Sequence, residues 1–583
     1  MGVLQSTNTG LFRVDRRISH CSTDCVDYVD RSFRRMAARV VRSIRHREIS
    51  SYDFVDDAHQ PCPRYPLNSV VLHVSLTSKA FGAFSGNVDG KFQLLHYRVD
   101  ESYALNIHSR NGTMHVDATA SSMFSINRIL STLEQIFIWD GTALLVPGLP
   151  IALSDYPRFK WRGFMLDTAR HFISVKKILH IIDAMQSMKL NVFHWHLSDA
   201  HSFSYSYDEK KRSFATYSPS ATYDREAIRQ VVEYAFDRSI RVVPEIDMPS
   251  HTASWPKDLL VQCPEVVLGD DRGVEFGINK VALHPLNEDV YQFVQKLLDD
   301  IMDLFPDEFI HIGGDEVSAE CWDTDPEIQS WRKKHTVSSG SPWHLRLQAI
   351  FTERVLGMVS DRNKTAVLWD DALPSIIGMR DKSRGKVVLQ WWRTWEKKAV
   401  ATAHSHGIPT ITSAKWYLDD LAQSWANMYR QTIDDAGPLS MGGEACMWTE
   451  QHNERGIDQT IFSRLPAVAE RLWSSKKRSA FKSIARNRLA RFQCKVLQQM
   501  YAVQMSSILP NFCPVHQGES VLQAERIPMK PGKFVSALPV KMCESIAFTH
   551  MVPWFLLGAI ILNLAGRKCC PRLTRSRKVL AVR

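Results

Sequence analysis

The 583-residue sequence lacks the motifs by which many proteins bind nucleotides and metal ions. Its central region contains no glycine-rich dinucleotide fingerprint, no phosphate-binding loop and no cluster of residues with metal-ligand spacing. We therefore expect a protein that works without a cofactor and without a metal ion.

An apolar run of the length that a secretory signal peptide needs is also missing near the amino terminus. Between Arg31 and Arg47, apolar residues recur at helical spacing, with arginines on the opposite face. This pattern predicts a surface helix, and a membrane-binding or targeting helix is the alternative. We treat residues 1–60 as an amino-terminal extension of unclear role.

Acidic residues are absent from the last seventeen positions, which carry seven Lys and Arg residues. These account for +7 of the formal net charge of +10, so the rest of the chain carries only +3. The basic composition therefore does not indicate a nucleic-acid-binding surface, and we expect no nucleic-acid partner.

The composition that is present, 44% hydrophobic and 23% charged, is that of a globular protein. Eight apolar runs end in polar residues, and helical patterns at 174–189, 224–238 and 396–406 separate some of them. Strands that alternate with helices predict an α/β fold, and eight units predict a (β/α)8 (TIM) barrel with catalytic groups at the carboxyl ends of its strands. The runs are 163–171, 192–199, 242–247, 309–317, 366–371, 387–392, 410–419 and 442–450.

The run 309–317 ends in two glycines followed by Asp315 and Glu316. Adjacent residues on an extended strand point to opposite sides, so two acids beside one substrate can acquire different pKa values and roles. The same GGDE tetrapeptide occurs in cyclic-dinucleotide synthases. That interpretation explains none of the other runs, and Val317 stands where the synthase motif has an aromatic residue.

Six motifs in order resemble the β-N-acetylhexosaminidases of glycoside hydrolase family 20, over residues 65–515. They are DTARHF (167–172), HWHLSD (194–199), PEIDMPSH (244–251), HIGGDE (311–316), the tryptophan ends of later strands, and GGEACMWTE (442–450). The resemblance implies an exo-acting enzyme that removes terminal GlcNAc or GalNAc from N-glycans, chito-oligosaccharides or glycolipids. A catalytically weak glycan-binding membrane protein on the same fold is the alternative.

By this resemblance, Glu316 protonates the leaving oxygen, while the substrate's own 2-acetamido oxygen attacks to form an oxazolinium ion with net retention. Asp315 then orients the acetamido group and balances the charge on its nitrogen, and Glu316 returns as the base towards water. Asp199 and His251 match positions that set the protonation of the acid.

The resemblance also implies a sugar pocket. Arg170 and Glu450 match residues that hold the far hydroxyl groups of the terminal sugar. Tyr417 and Asp419 match residues that contact the acetamido group and the 4- or 6-hydroxyl. The matching aromatic wall consists of Trp369, Trp392 and Trp448, with Trp391 as the alternative to Trp392.

Three positions depart from the family's usual pattern. Ala200 replaces a second aspartate, Ser250 a glycine and Ser204 a proline. None of these changes removes a catalytic group, so we expect them to affect loop shape and the preference among leaving groups.

These patterns divide the chain into segments. A non-catalytic α/β domain at 65–155 follows the extension, and the barrel with its closing helices occupies 156–505. Residues 506–545 contain five prolines and predict a stalk. Residues 546–566 are mostly apolar and long enough to cross a hydrocarbon core of about 30 Å. The basic tail at 567–583 is then cytoplasmic by the positive-inside rule.

This arrangement predicts a type I-like membrane protein whose catalytic domain is lumenal or extracellular. Sequons at Asn111 and Asn363 fit such a location. The first six residues match the myristoylation pattern, which would place the chain in the cytosol, and we interpret that match as chance. The resemblance makes a homodimer a candidate assembly. It also implies two disulfides, Cys263–Cys321 and Cys494–Cys513.

Overall fold

A computed structural model of the chain shows an amino-terminal α/β domain joined to a closed barrel with flanking helices. The residues it describes are 4–5, 13–19, 23–45, 64–66, 69–76, 95–111, 113–139, 144–207, 214–261, 281–335, 343–379, 386–396, 398–431, 433, 437–475 and 482–503.

Two sheets form the framework of the amino-terminal domain. Their strands are β1 (Leu4–Gln5), β2 (Arg13–Ser19), β3 (Arg64–Pro66), β4 (Ser69–Leu76), β5 (Tyr103–Arg110), β6 (Thr113–Ala120), β7 (Ile138–Trp139), β8 (Leu144–Pro147) and β9 (Ile151–Asp155). The larger sheet has the order β1-β2-β4-β6-β5-β9, and the smaller one β3-β8-β7. Alternate residues of β6, such as Met114, Val116 and Ala118, are buried because only one face of the larger sheet packs against the core.

The described segments of residues 1–60, which are 4–5, 13–19 and 23–45, form part of this domain. Strand β2 pairs in parallel with β4, and the helix Thr23–Arg45 packs against the helix Ser125–Ile136. The apolar side chains of Tyr28, Phe33 and Met36 are almost fully buried. The predicted surface helix is therefore confirmed, because its apolar face packs on the domain while Arg31 and Arg34 are 49% and 62% exposed. The alternative membrane-binding helix is wrong, because the protein itself covers that apolar face.

Eight parallel strands close into a barrel, which confirms the predicted (β/α)8 fold. They are β10 (Trp161–Asp167), β11 (Val192–His196), β12 (Arg241–Glu245), β13 (Phe309–His311), β14 (Thr365–Trp369), β15 (Val387–Trp391), β16 (Thr410–Thr412) and β17 (Ser440–Met447). Each strand pairs with the next, and β17 returns to β10. Closure pairs both edges of every barrel strand.

Helices cover the outside of the barrel, and several begin at capping side chains. Ser174, Asp224 and Asn287 each accept a backbone N–H in the first turn of their helices. The predicted helices at 174–189, 224–238 and 396–406 correspond to Val175–Ser187, Arg225–Phe236 and Ala399–Ser405. The others are Glu288–Leu304, Ala319–Thr324, Pro326–Lys334, Trp343–Asp361, Leu373–Ile377, Trp425–Arg430, Ile457–Phe462, Leu465–Trp473 and Lys482–Phe492, with a π-helix at Gln493–Met500 and 3-10 turns at Lys257–Leu259 and Asp370–Ala372.

The barrel interior changes from apolar to polar along the strands. Its amino-terminal layer includes Val192, Val243, Phe309 and Val388. Side chains on a strand return to the same face every second residue. Two positions further along the same four strands, the side chains are His194, Glu245, His311 and Gln390, all buried. The polar layer lies at the carboxyl end, below the acid pair.

Buried ion pairs join the amino-terminal domain to the barrel. Glu101 accepts hydrogen bonds from Arg128 at 2.7 Å and from Arg162 of β10 at 2.6 Å. Burial alone would raise the pKa of Glu101, but the two guanidinium groups lower it. Lys189, before β11, lies 2.9 Å from Asp155 of β9. The domain therefore buttresses the first strands of the barrel.

Some predicted features lie outside the described residues, namely the stalk at 506–545, the span at 546–566 and the tail at 567–583. Within the ranges given above, no helix is long and apolar enough to cross a membrane. Cys263 and Cys513, one member of each expected disulfide, also lie outside those ranges. The two disulfides therefore stay predictions.

Candidate active site

The acid pair lies in a turn that follows β13. The strand ends at His311, and Gly313, Gly314 and Glu316 have φ angles of 64°, 96° and 50°. The expectation of an extended strand through both acids is therefore wrong. The strand ends before them, and they lie in a turn with left-handed φ angles. The side chain of Asp315 is 12% exposed and that of Glu316 52%. The two carboxyl groups do have different surroundings.

Glycine is required at position 313 because Asp247, two residues after the end of β12, leaves no room for a side chain there. A Cβ atom there would lie 1.6 Å from Oδ1 of Asp247, and the φ angle is in the left-handed region. The same Asp247 oxygen accepts a hydrogen bond from the backbone N–H of Gly314 at 3.1 Å. Asp247 thereby fixes the turn that presents the acids.

Asp247 and Asp315 are coupled carboxyl groups. Burial raises the pKa of Asp247 to about 7. Burial, and then the charge of Asp247, raises the pKa of Asp315 well above its usual range. The negative charge of Asp247 therefore disfavours ionisation of Asp315.

The imidazole of His251 links the acid pair to Asp199. His251 Nε2 lies 3.7 Å from Asp315 Oδ2 and 3.6 Å from Glu316 Oε2, and its Nδ1 lies 3.5 Å from Asp199 Oδ1. Burial opposes the charged imidazole, but Asp199 and Asp315 raise the pKa of His251 well above its usual range. The nearby His251 ring in turn lowers the pKa of Glu316. The structure thus brings together the four residues that the resemblance implies.

Behind Asp199, imidazoles and carboxylates alternate into the barrel. His196 Nε2 lies 3.0 Å from Asp199 Oδ2, and its Nδ1 lies 2.5 Å from Glu245 Oε2. His194 lies 3.0 Å from Glu245 and 2.7 Å from Glu444. Although burial disfavours the charged imidazole, these two carboxylates raise the pKa of His194 to about 9. None of these four residues, His194, His196, Glu245 and Glu444, has a role predicted from the sequence. They could have been found from the sequence, because a polar residue at an inward-facing position of an otherwise apolar strand is unusual and indicates a buried polar partner.

Arg170 occupies the opposite side of Asp199. Its guanidinium lies 2.8 Å from Asp199 Oδ2 and 3.4 Å from Glu450 Oε1, and it stacks 4.8 Å from the ring centre of Trp448. Burial raises the pKa of Glu450, and Arg170 opposes that shift. The two residues expected to hold the sugar hydroxyls are therefore neighbours at the rim of the pocket.

The expected aromatic residues form one cluster. Ring centres are 5.9 Å apart for Trp369 and Trp448, 6.3 Å for Trp448 and Tyr417, and 6.1 Å for Tyr417 and Trp392. Trp391, the alternative to Trp392, packs instead against the main core of the protein. Trp392 is therefore the member of that pair that extends the wall.

Two further aspartates complete the pocket. Asp419 accepts a hydrogen bond from the backbone N–H of Trp448 at 3.3 Å, and burial raises the pKa of Asp419 to about 7. Asp371 accepts from the Glu316 N–H at 3.4 Å and from Trp392 Nε1 at 2.8 Å. Asp371 is not among the residues implied by the resemblance, and it ties the acid to the aromatic wall.

Two buried groups offer nitrogen and oxygen atoms within 4.8 Å of one another, His194/Glu245/His311 and Asp199/Asp247/His251. Such donors suit zinc. The atoms of each group already pair with one another or with neighbouring charges, as in the 3.0 Å contact between His311 Nδ1 and Glu245 Oε1. The expectation that the protein needs no metal stays a prediction.

The three departures from the family pattern make contacts of their own. The Ala200 N–H donates to Asp199 Oδ1 at 2.6 Å, and the Ser204 hydroxyl donates to the Leu197 carbonyl at 2.7 Å. The Ser250 hydroxyl donates to the carbonyl of Glu316 at 3.4 Å. These residues shape the loops around the acid without replacing a functional group.

Comparison with known proteins agrees with this geometry. The profile of the family described as "Glycosyl hydrolase family 20, catalytic domain" matches residues 159–476. The chain is 33% identical over 424 residues to beta-hexosaminidase subunit beta of Homo sapiens, covering 70% of this chain and 72% of the relative. It is 32% identical over 479 residues to the same subunit of Sus scrofa, covering 78% and 83%.

Solved structures give the same result. The chitobiase FjGH20 of Flavobacterium johnsoniae matches with a TM-score of 0.62 at 26% identity, covering 84% of this chain and 69% of that one. The β-N-acetylhexosaminidase of Streptomyces coelicolor A3(2) matches with a TM-score of 0.55 at 25% identity, covering 77% and 88%. The chain therefore belongs to glycosyl hydrolase family 20 and is a glycoside hydrolase of the β-N-acetylhexosaminidase type.

Proposed function

We propose that this hydrolase removes terminal, non-reducing GlcNAc or GalNAc residues from glycoconjugates by substrate-assisted catalysis. The observation that carries the proposal is the unequal placement of the acid pair. Both acids lie near His251 Nε2, but Asp315 is buried beside Asp247 while half of Glu316 is exposed. A general acid has to reach the bridging oxygen of an incoming substrate, whereas the group that holds the acetamido arm can be buried.

Glu316 acts as the general acid and then as the base. In the free protein the nearby His251 lowers the pKa of Glu316. A bound sugar displaces water from its exposed half, and desolvation favours the neutral carboxylic acid. Glu316 gives its proton to the leaving oxygen, and the resulting carboxylate deprotonates the water that opens the oxazolinium ring.

Asp315 supports the substrate's own nucleophile. As the acetamido oxygen attacks carbon 1, positive charge develops on the acetamido nitrogen. A buried carboxylate stabilises such a charge strongly because little water screens it.

The remaining pocket residues hold the terminal sugar. Arg170, Glu450 and Asp419 offer donors and acceptors for its hydroxyl groups, and the aromatic cluster supplies apolar surface. N-glycans, chito-oligosaccharides and glycolipids are all candidate substrates, because each can carry a terminal GlcNAc or GalNAc.

The mechanism can be tested with an aryl β-GlcNAc substrate and a thiazoline that imitates the oxazolinium ion. We expect the wild-type protein to hydrolyse the substrate and the thiazoline to inhibit it competitively. If the thiazoline has no effect and mass spectrometry finds a glycosyl group bound to Asp315 or Glu316, a double displacement replaces the proposed mechanism. An inactive, correctly folded protein would favour the glycan-binding alternative.

We also propose that residues 546–566 anchor the enzyme, with the barrel on the lumenal or extracellular side. The apolar run and the basic tail that follows it support this proposal. The sequon residues Asn111 and Asn363 lie at exposed turns, where glycosylation is sterically open. Full-length protein should sediment with membranes after carbonate washing, and a chain that ends before Ile546 should not. If both chains sediment to the same extent, residues 546–566 do not anchor the protein.

A homodimer is the assembly we propose. The relatives described above are named as subunits, and symmetric dimers are the commonest oligomers. Light scattering of the purified protein should give about twice the chain mass of 66.6 kDa. A monomeric mass at micromolar concentration would contradict the proposal.

A further inference from the structure

Exposed apolar side chains gather at the mouth of the barrel. Three of the five large ones among the described residues, Tyr217, Trp395 and Leu421, lie in connections that follow β11, β15 and β16, which places them at the carboxyl face. Apolar side chains grouped around a pocket indicate a binding surface rather than chance exposure. The five are Tyr156, Tyr217, Ile377, Trp395 and Leu421.

Trp395 continues the aromatic wall of the pocket towards solvent. Its ring centre lies 5.3 Å from that of Trp392, at an interplanar angle of 83°. Exposure increases along the cluster, from the buried Trp369 and Trp448 through the half-buried Trp392 to Trp395, which is 64% exposed. The aromatic cluster therefore extends from the floor of the sugar pocket to its outer edge, where the ring of Trp395 stands nearly perpendicular to that of Trp392.

Trp392, the ring that contacts Trp395, is tied to the acid through Asp371. Asp371 bonds both Trp392 Nε1, at 2.8 Å, and the backbone N–H of Glu316, at 3.4 Å. In the proposed function, Glu316 protonates the oxygen between the terminal sugar and the leaving group. The leaving group must therefore extend outward past Glu316, on the side where Trp392 ends and Trp395 begins.

The segment that carries Trp395 is held in place. Trp391 Nε1 donates to the Arg393 carbonyl at 2.8 Å. Arg393 in turn donates to the Asp370 side chain and to the Asp370 carbonyl, each at 2.9 Å. A ring presented by a fixed backbone loses little freedom when it binds a ligand.

We propose that Trp395 forms a leaving-group subsite, in which its exposed indole packs on the apolar face of the pyranose ring that is released. The occupant is a sugar because the exposed indole is a flat aromatic face that contacts the wall of a sugar pocket. Leu421, which is 67% exposed in the connection after the adjacent strand β16, provides further apolar surface at the same mouth. This inference rests on the proposed function and extends it to the specificity of the enzyme.

The test compares substrates that share the terminal GlcNAc and differ in the leaving group. N-acetyl-β-glucosaminyl fluoride releases an ion with no ring, and N,N′-diacetylchitobiose releases a sugar. In Trp395→Ala, we expect the ratio of kcat/KM for the disaccharide to that for the fluoride to fall roughly tenfold, since aromatic contacts contribute on that scale. Trp395→Tyr, which keeps a flat ring, should restore most of the ratio.

Tyr156→Ala is the matched control, because Tyr156 is an exposed aromatic residue (46%) at the domain boundary, away from the barrel mouth. Its ratio should equal that of the wild type. If Trp395→Ala leaves the ratio unchanged, or lowers both kcat/KM values equally, the subsite is overturned. A wild-type protein that hydrolyses neither substrate would instead overturn the proposed function, which separates the two failures.

Discussion

At the scale of single residues, His251 determines how the acids of the site influence one another. Its ring lies between Asp199 on one side and the pair Asp315 and Glu316 on the other. The charged imidazole is stabilised by the acids and in turn favours the ionised form of Glu316. A change of charge at any one of these residues must therefore alter the pKa values of the others.

The division of labour between the two acids predicts different dependence on the leaving group. Glu316→Gln should lose about 10² to 10⁴ in rate on disaccharides, which need protonation, and much less on an activated aryl glycoside. Asp315→Asn should slow both, because it impairs ring formation rather than protonation. Pre-steady-state release of nitrophenol measures the first step. Identical leaving-group dependence in the two variants would contradict these roles.

The coupling between Asp247 and Asp315 predicts a shift in pH dependence. The raised pKa of Asp315 means that the free enzyme loses the required carboxylate as the pH falls. In Asp247→Asn the like charge is gone, so the pKa of Asp315 should fall. The acidic limb of kcat/KM should then move to lower pH by about one unit. A pH–rate profile of wild type and variant measures this shift, and a limb that stays in place would show that another group controls it.

At the scale of elements, the turn after β13 can form only because residue 313 is a glycine and has no side chain. Gly313→Ala would force Cβ towards Asp247 and strain a left-handed backbone, so we expect a loss of roughly 2–5 kcal/mol in unfolding free energy together with most activity. Gly357→Ala is the control. It lies in the helix Trp343–Asp361 with no atom within 4 Å of its Cβ position, and should stabilise by about 0.5–1 kcal/mol. Urea unfolding and kcat are measured for both variants. If Gly313→Ala changes neither quantity more than Gly357→Ala does, the turn does not require glycine at position 313.

Elements with a clear local period could be predicted from the sequence, and tertiary roles could not. The helix predicted at 224–238 is found at Arg225–Phe236, because its helical periodicity is defined by residues close together in the chain. The burial of the helix Thr23–Arg45 depends on partners far along the chain. In the site, motif resemblance locates Asp315 and Glu316. Asp371 matters only because the fold brings its carboxyl group to the backbone of the acid.

At the scale of the whole molecule, Glu101 couples the two domains. Glu101→Gln leaves the buried guanidinium groups of Arg128 and Arg162 without a counter-charge, so we expect a loss of about 3–5 kcal/mol. Glu288→Gln, which breaks an exposed pair with Arg354, is the control and should change stability little. Denaturant unfolding at neutral pH measures both, and a small effect of Glu101→Gln would mean that the domains do not depend on this contact.

The lowered pKa of Glu101 predicts that its contribution to the free energy of unfolding depends on pH. The folded-state pKa of Glu101 is depressed, so its contribution is fully present above the unfolded-state value of about 4.3 and is lost as the pH falls through the lower folded value. The stability difference between wild type and Glu101→Gln should therefore shrink below about pH 4. Unfolding curves across acid pH test this, and a constant difference would contradict the assignment.

The docking of the helix Thr23–Arg45 has a consequence for biosynthesis. Tyr28 bonds Ser239 at 2.7 Å and Arg31 bonds Asp237 at 2.9 Å, across more than 200 residues of intervening chain. At a translation rate of about 5–20 residues per second, that surface emerges from the ribosome roughly 10–40 s after the helix does. During this interval the apolar stripe of the nascent helix has no native surface from the barrel to cover it. The helix Thr23–Arg45 thus emerges before the barrel but completes its contacts only after the barrel surface at Asp237 and Ser239 has been made, and until then it is a segment to which a chaperone could bind.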